Sequence, residues 1–172
     1  MTPIRLLAAA ALAAQVFTAP AQAATWTWKY SAAGIAAAGT FTASDTPDVD
    51  GFYAITAIAG SRNGVAITGL EPAGNAIPGN DPYYVDNLVS TASSQLTWNG
   101  FGYSLADGCW VNPFSDGSTA WEYLSVPPYP EGAGQEVAIV FSAAPVPEPA
   151  TGVLGLLGIA GLVAASRLRR EL

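Results

Sequence analysis

The side chains of this 172-residue chain that could do acid–base chemistry are almost all carboxylates. The sequence has no histidine, which excludes a Ser-His-Asp triad, a Cys-His pair and a histidine-ligated metal site. A glycosidase needs only two carboxyl groups, about 5 to 9.5 Å apart. Glu122, between Trp121 and Tyr123, is the best-placed acid, with Asp107 or Asp116 as its partner. Acids in so acidic a domain are mostly surface or turn residues, so we predict no catalytic residue and no enzyme.

A second acidic run extends from Asp45 to Gly51 and invites a calcium interpretation. It fits the middle of an EF-hand loop, but Thr46 and Ala57 stand where the first and last ligands belong. We therefore favour a polar turn that caps a hairpin. The candidate ligands of a weak calcium site are Asp45, Asp48 and Asp50. The chain has no glycine-rich phosphate loop either, and we predict no cofactor.

Aromatic residues are the third group that could bind a ligand. The five tryptophans and seven tyrosines could stack on sugar rings, or they could fill the core of a domain that is poor in leucine and phenylalanine. We expect most of them in the core. The exposed ones, and hence the possible glycan contacts, should be those in proline-rich loops: Tyr83, Tyr84 and Tyr129.

The elements that must position these side chains are short β-strands. Trp26, Trp28 and Tyr30 alternate with polar residues, and residues 52–58, 65–68 and 137–141 are rich in β-branched and aromatic side chains. Strands of this length at this spacing, bounded by Gly, Pro, Asn or Asp, predict a single all-β domain, an antiparallel β-sandwich or barrel-like fold over residues 24–144.

Two Asn-Gly pairs suit two-residue hairpin turns in which both residues have positive φ. Asn63-Gly64 predicts pairing of residues 55–61 with 65–70. Asn99-Gly100 predicts pairing of residues 95–98 with 101–105.

The charge of this domain limits its partners. Residues 24–144 contain two basic and eleven acidic residues, a net charge of −9. Nucleic acid and anionic lipid headgroups would be repelled, so neutral polymers, cations or other proteins are the natural partners. The single cysteine, Cys109, is expected to be a small buried residue, with an intermolecular disulfide or reactive thiol as the alternative.

The N-terminus has the layout of a secretory signal peptide. A positive start at Met1 to Arg5 precedes an apolar run, and a small-x-small site ends at Ala23. We predict that residues 1–23 are a signal peptide removed by signal peptidase between Ala23 and Ala24. An uncleaved anchor is the alternative, but the run is shorter than the roughly 20 residues that a span needs.

The C-terminus carries a second apolar run. Residues 151–166 contain no charge, and three arginines follow as a stop-transfer signal: Arg167, Arg169 and Arg170. A helix rises about 1.5 Å per residue, so this run spans about 24 Å, marginally enough for a hydrocarbon core of about 30 Å. We predict a single transmembrane helix in the inner membrane, arginines on the cytoplasmic side and the β domain outside.

The tail from Val146 to Arg170 resembles the PEP-CTERM sorting signal of exported proteins in Gram-negative, exopolysaccharide-making bacteria. The resemblance covers about residues 145–172, and its motif is Val146-Pro147-Glu148-Pro149, followed by the Gly/Leu-rich run and the arginines. It implies that a membrane-embedded exosortase recognises the Pro-Glu-Pro region and releases or transfers the body. Prolines at 145, 147 and 149 should keep residues 144–150 extended and outside any helix or sheet.

Residues 53–70, followed by Asn80-Asp81, also resemble a small β domain that recurs in proteins with this signal, which implies a fold but no activity. The first hypothesis is a non-enzymatic exported surface or matrix protein, anchored before processing and associated with exopolysaccharide. The alternative is a carbohydrate-binding module delivered by the same route. A glycan-active enzyme that uses only carboxylates is the third.

Overall fold

The structure, a computed structural model, describes residues 23–147. Three predicted segments lie outside the described residues: the signal peptide except for its last residue, Ala23, the end of the sorting motif at Glu148 and Pro149, and the membrane span with its arginines. The described part consists of nine strands joined by turns and loops. They are β1 (Ala24–Ala32), β2 (Ile35–Ala43), β3 (Phe52–Arg62), β4 (Val65–Leu70), β5 (Leu88–Ser90), β6 (Tyr103–Leu105), β7 (Trp110–Ser115), β8 (Ala120–Ser125) and β9 (Gln135–Pro145).

Eight of these strands close into an antiparallel barrel. The order is β2-β1-β9-β8-β7-β6-β4-β3, and β3 pairs again with β2 to complete the circle. The short β5 pairs outside the circle with the start of β3. The predicted all-β class is confirmed, and of the two predicted architectures the structure shows the barrel.

Alternation along the strands sends large side chains into the barrel. Trp26, Trp28 and Tyr30 of β1 are at most 2% exposed, whereas the residues between them face solvent. Trp28 stacks on Phe41 of β2 with ring centroids 5.4 Å apart, and Phe101 meets Phe41 edge-on at 5.0 Å. The interior is thus filled by aromatic rings, and truncating one such tryptophan to alanine costs about 3–5 kcal/mol of folding free energy.

The turn of the first predicted hairpin is confirmed, and its ladder is limited to two pairs, Ser61–Ala66 and Arg62–Val65, because the rest of β4 pairs with β6. Asn63 and Gly64 connect β3 to β4 with φ angles of 50° and 82°, and Arg62 pairs with Val65. The Asn63 side chain also accepts the Ala36 amide at 2.8 Å, which ties this turn to the start of β2.

The second predicted hairpin is wrong. Residues 95–98 form only an isolated bridge, from Leu96 to Val89, and β6 pairs instead with β4 and β7. Gly100 has a φ of 62°, but a Cβ atom there would lie 1.9 Å from the Pro113 carbonyl oxygen. The glycine is therefore required for close approach to β7, and not for a two-residue turn.

The segment between β4 and β6, residues 71–102, contributes Val89, Leu96 and Phe101 to the main core, and its first part packs on the outside of the barrel. Ile77 and Val85 from this segment pack with Tyr123 of β8 in a second small apolar cluster. The Tyr123 hydroxyl donates to the Gly79 carbonyl at 2.6 Å, and the Ser125 hydroxyl to Pro78 at 2.5 Å. These contacts hold the segment against β7 and β8.

The last strand carries the sheet into the start of the sorting signal. Pro145 pairs with Trp26, and the Val146 amide donates to the Thr25 carbonyl at 2.7 Å. The prediction that residues 144–150 stay outside the sheet is wrong for Ala144 and Pro145. A proline is tolerated because alternate amides of β9 face β1, and the nitrogen of Pro145 points away from it.

Candidate functional site

A cleft of about 310 Å³ opens on the outer face of the barrel, between β7, β8, β9 and the 71–102 segment. Its volume is at the lower end of the range for ligand pockets, about 300–1,000 Å³. Aromatic rings, side-chain amides and two acids line it. They are Asn80, Tyr83, Tyr84, Trp98, Asn99, Asn112, Phe114, Asp116, Trp121 and Glu136.

Strand register explains which barrel residues reach the cleft. Phe114 of β7 lies opposite Trp121 of β8, and Asn112 lies opposite Tyr123, which in turn faces Glu136 of β9. Residues directly opposite each other in an antiparallel pair share one face of the sheet. These five side chains therefore form one outward surface, and Tyr123 is the part that the 71–102 segment covers.

The rim of the cleft is aromatic and open to solvent. Trp98 is 62% exposed, Tyr83 61% and Tyr84 53%. Trp98 meets Phe114 edge-on, with ring centroids 6.3 Å apart. Exposed large aromatic rings around a concave surface are typical of a binding site, because their faces are otherwise left in water.

Two buried asparagines line the cleft. Asn112 is 4% exposed, and its Nδ2 donates to the carbonyls of Asn99 at 3.0 Å and Phe101 at 3.1 Å. Its Oδ1 lies 3.4 Å from Nδ2 of Asn80, which is 8% exposed. Because both hydrogens of Asn112 have backbone partners, this amide is held in one orientation.

Asp116 caps the turn between β7 and β8. Its Oδ1 accepts the backbone amides of Ser118 at 2.8 Å and Thr119 at 2.7 Å, and its Oδ2 accepts the Trp121 indole N–H at 3.0 Å. The hydrogen bond from Trp121, followed by those from the backbone amides, holds the pKa of Asp116 well below its usual range. The carboxylate is thus ionised and fixes the ring of Trp121.

Glu122, the carboxylate considered for a glycosidase, points the other way. It is 1% exposed inside the barrel, and Arg62 binds it through Nε at 2.9 Å and Nη2 at 2.6 Å. The Tyr30 hydroxyl donates to Oε2 at 2.5 Å and accepts from Tyr103. Burial raises the pKa of both tyrosines, and the hydrogen bonds with Glu122 raise that of Arg62. Neighbours along a strand face opposite sides, so Trp121 does not share the environment of Glu122.

The structure separates the three tyrosines predicted as glycan contacts. Tyr83 and Tyr84 line the cleft, whereas Tyr129 is partly buried elsewhere and donates its hydroxyl to the Gly108 carbonyl at 2.5 Å. The expectation that Tyr129 is an exposed residue is therefore wrong, because a backbone carbonyl holds its polar tip.

The acidic run at residues 45–51 forms the turn between β2 and β3. Oδ1 of Asp48 accepts the amides of Asp50 at 3.0 Å and Phe52 at 2.9 Å, as expected for a polar hairpin cap. Over residues 23–147 no three His, Cys, Asp or Glu side chains form a group that could hold a metal. Cys109 is partly exposed, and desolvation raises the pKa of its thiol.

Sequence reasoning missed Trp98, Trp121, Phe114 and the amides of this cleft. The available signal was the period-two alternation of β7 and β8, which places Phe114 and Trp121 on the face opposite to Glu122. The position of Trp98 depends on the path of the 71–102 segment, for which the sequence offers no periodic pattern.

The described domain is a closed all-β barrel with an outer cleft, and its last strand leads into a C-terminal segment. Residues 145–170 match the family model of the PEP-CTERM protein-sorting motif. The chain therefore carries a PEP-CTERM sorting signal, which indicates an exported, cell-surface-directed protein that an exosortase processes. Comparison with curated proteins and with solved structures finds no match. Within residues 23–147 there is no helix with the length and apolarity to cross a membrane.

Proposed function

We propose that this chain is a non-enzymatic protein of the cell surface or extracellular matrix, associated with exopolysaccharide. The observation that carries the proposal is the sorting motif at residues 145–170. Two features of the body support it. The acid best placed for catalysis, Glu122, is enclosed in the barrel by Arg62, and a body with a net charge of −9 favours neutral polymers over nucleic acid.

Intact-mass analysis of the protein from an exosortase-bearing host tests this route. We expect a mature species that begins at Ala24 and lacks most of residues 151–172. Replacing Pro147, Glu148 and Pro149 by alanine should leave the tail attached and the protein in the membrane fraction.

A matched control uses the body's own Pro-Glu pair. Pro130→Ala with Glu131→Ala changes two exposed residues of a loop and should leave processing unchanged. A mature species that retains its tail in the unsubstituted chain would contradict the proposed route.

A second candidate function, a carbohydrate-binding module, is favoured by the cleft. Its exposed rings, Trp98, Tyr83 and Tyr84, provide faces for the apolar sides of sugar rings. Its amides provide fixed partners for hydroxyl groups, which is the usual division of roles in a ligand pocket.

Affinity electrophoresis in a gel that contains the host's exopolysaccharide tests this candidate. The protein should be retarded, and Trp98→Ala should weaken binding by about tenfold, about 1.4 kcal/mol, because an exposed anchor ring is lost. Val126→Ala removes another exposed apolar side chain that does not line the cleft, and it should migrate as the unsubstituted protein does. Equal migration with and without polysaccharide would contradict the binding module.

A further inference from the structure

The charges around the cleft are of one sign. Asp116 and Glu136 line it, and no lysine or arginine does so. Residues 23–147 contain only two basic side chains, Lys29 and Arg62, and Arg62 is bound to Glu122 inside the barrel. An acidic sugar in the cleft would therefore meet two carboxylates and no counter-charge.

The hydrogen-bonding groups of the cleft point to the same ligand class. Both hydrogens of Asn112 Nδ2 donate to backbone carbonyls, and its Oδ1, which accepts one bond from Asn80 Nδ2, has a second lone pair for a further donor. The N–H of Trp121 is likewise taken by Asp116. Acceptors suit the carbon-six hydroxyl of a neutral hexose, whereas the carboxylate that replaces it in a uronate has no hydrogen to donate to them.

We propose that the cleft selects neutral hexose polymers over uronic-acid polymers, and that Asp116 and Glu136 are the residues that exclude the acidic sugars. This inference rests on the carbohydrate-binding function proposed above. It adds the chemical class of the ligand and the side chains that determine it. Asp116 has two roles, because it holds the ring of Trp121 while it places a negative charge beside it.

The test compares oligosaccharides that differ only at carbon six. The exported protein is titrated by calorimetry with gluco-, manno- and galacto-oligosaccharides and with the corresponding uronates at low salt. A neutral oligosaccharide that binds should do so at least tenfold more tightly than its uronate. We call this ratio of affinities the gap. In the double variant Asp116→Asn, Glu136→Gln the gap should shrink to less than about threefold. Asparagine keeps one of the two acceptor oxygens that Asp116 uses, and thermal unfolding verifies that the variant folds.

A control of equal charge separates local from overall electrostatics. Asp45→Asn with Glu131→Gln removes two exposed carboxylates that do not line the cleft, and it should leave the gap unchanged. If this control closes the gap as much as the cleft variant does, overall charge is responsible and the inference is overturned.

The remaining outcomes distinguish the two proposals. Equal binding of a neutral oligosaccharide and its uronate would overturn the selection while carbohydrate binding stands. A tenfold gap that persists in the cleft variant would overturn the roles of Asp116 and Glu136. If no member of any pair binds, carbohydrate binding itself is wrong and the selection is overturned with it.

Discussion

The inner and outer sides of the barrel at β8 use similar residue types for opposite purposes. Inside the barrel, the carboxylate of Glu122 is bound by Arg62 and by a pair of tyrosines and is sealed from water. Outside it, Asp116 beside Trp121 is bound by N–H groups and the Ser118 hydroxyl, with no counter-charge, and stays open to solvent. A carboxylate with aromatic neighbours therefore becomes part of the core or part of a binding surface according to the side of the barrel on which it lies and the presence of a counter-charge.

The largest expected effect on stability concerns the buried pair of Glu122 and Arg62. Glu122→Gln should reduce the free energy of unfolding by about 3–5 kcal/mol, because Arg62 would be left nearly buried without its partner. Urea unfolding followed by tryptophan fluorescence measures the loss. Glu131→Gln, at an exposed loop position, should change stability by less than about 0.5 kcal/mol.

A double replacement provides the decisive contrast for the same pair. Glu122→Leu with Arg62→Met removes both charges, so it should be clearly less destabilising than Glu122→Gln alone. If the two proteins are equally unstable, the loss comes from packing around Glu122 and not from an unpaired charge.

A smaller effect tests the reassignment of Tyr129. Tyr129→Phe should cost about 1 kcal/mol of stability, because the hydroxyl that donates to the Gly108 carbonyl is lost. Binding of any glycan should be unchanged, whereas Tyr83→Ala should weaken it. Loss of binding in Tyr129→Phe at unchanged stability would restore Tyr129 as a contact residue.

The smallest effect concerns the outer carboxylate. The NMR pH titration of Asp116 should have its midpoint well below the ordinary aspartate value of about 3.9. Its contribution to stability is then fully present above that ordinary value and is lost only as the pH falls through the depressed pKa. Trp121→Phe removes the indole N–H and should move the midpoint upward. An unchanged midpoint would show that the backbone amides and the Ser118 hydroxyl depress this pKa without the indole.

Local pattern predicted the parts of this fold that depend on neighbours in sequence. The alternation of Trp26, Trp28 and Tyr30 indicated a strand with one buried face. Asn63-Gly64 indicated the turn between β3 and β4, because the positive φ angles of such a turn depend only on these two adjacent residues. Proline-rich surroundings correctly marked Tyr83 and Tyr84 as exposed.

The features that sequence reasoning missed depend on distant partners. Glu122 is paired with an arginine sixty residues away, and only barrel closure brings the two together. Gly100 has the composition of a turn but is needed for contact with Pro113. The cleft joins β7–β9 to a long irregular segment whose path is set by tertiary contacts such as Tyr123 to Gly79.

The continuation of β9 to Pro145 has a mechanical consequence. A pulling force applied through the chain beyond Pro147, against a barrel held elsewhere on its surface, enters the domain along β9. The hydrogen bonds that join β9 to β1 and β8 lie across the strand direction. They would therefore be loaded in shear, many at once, and would not be opened one by one as in peeling. The strand that leads into the sorting signal is thus also the one suited to bear tension while the tail is attached.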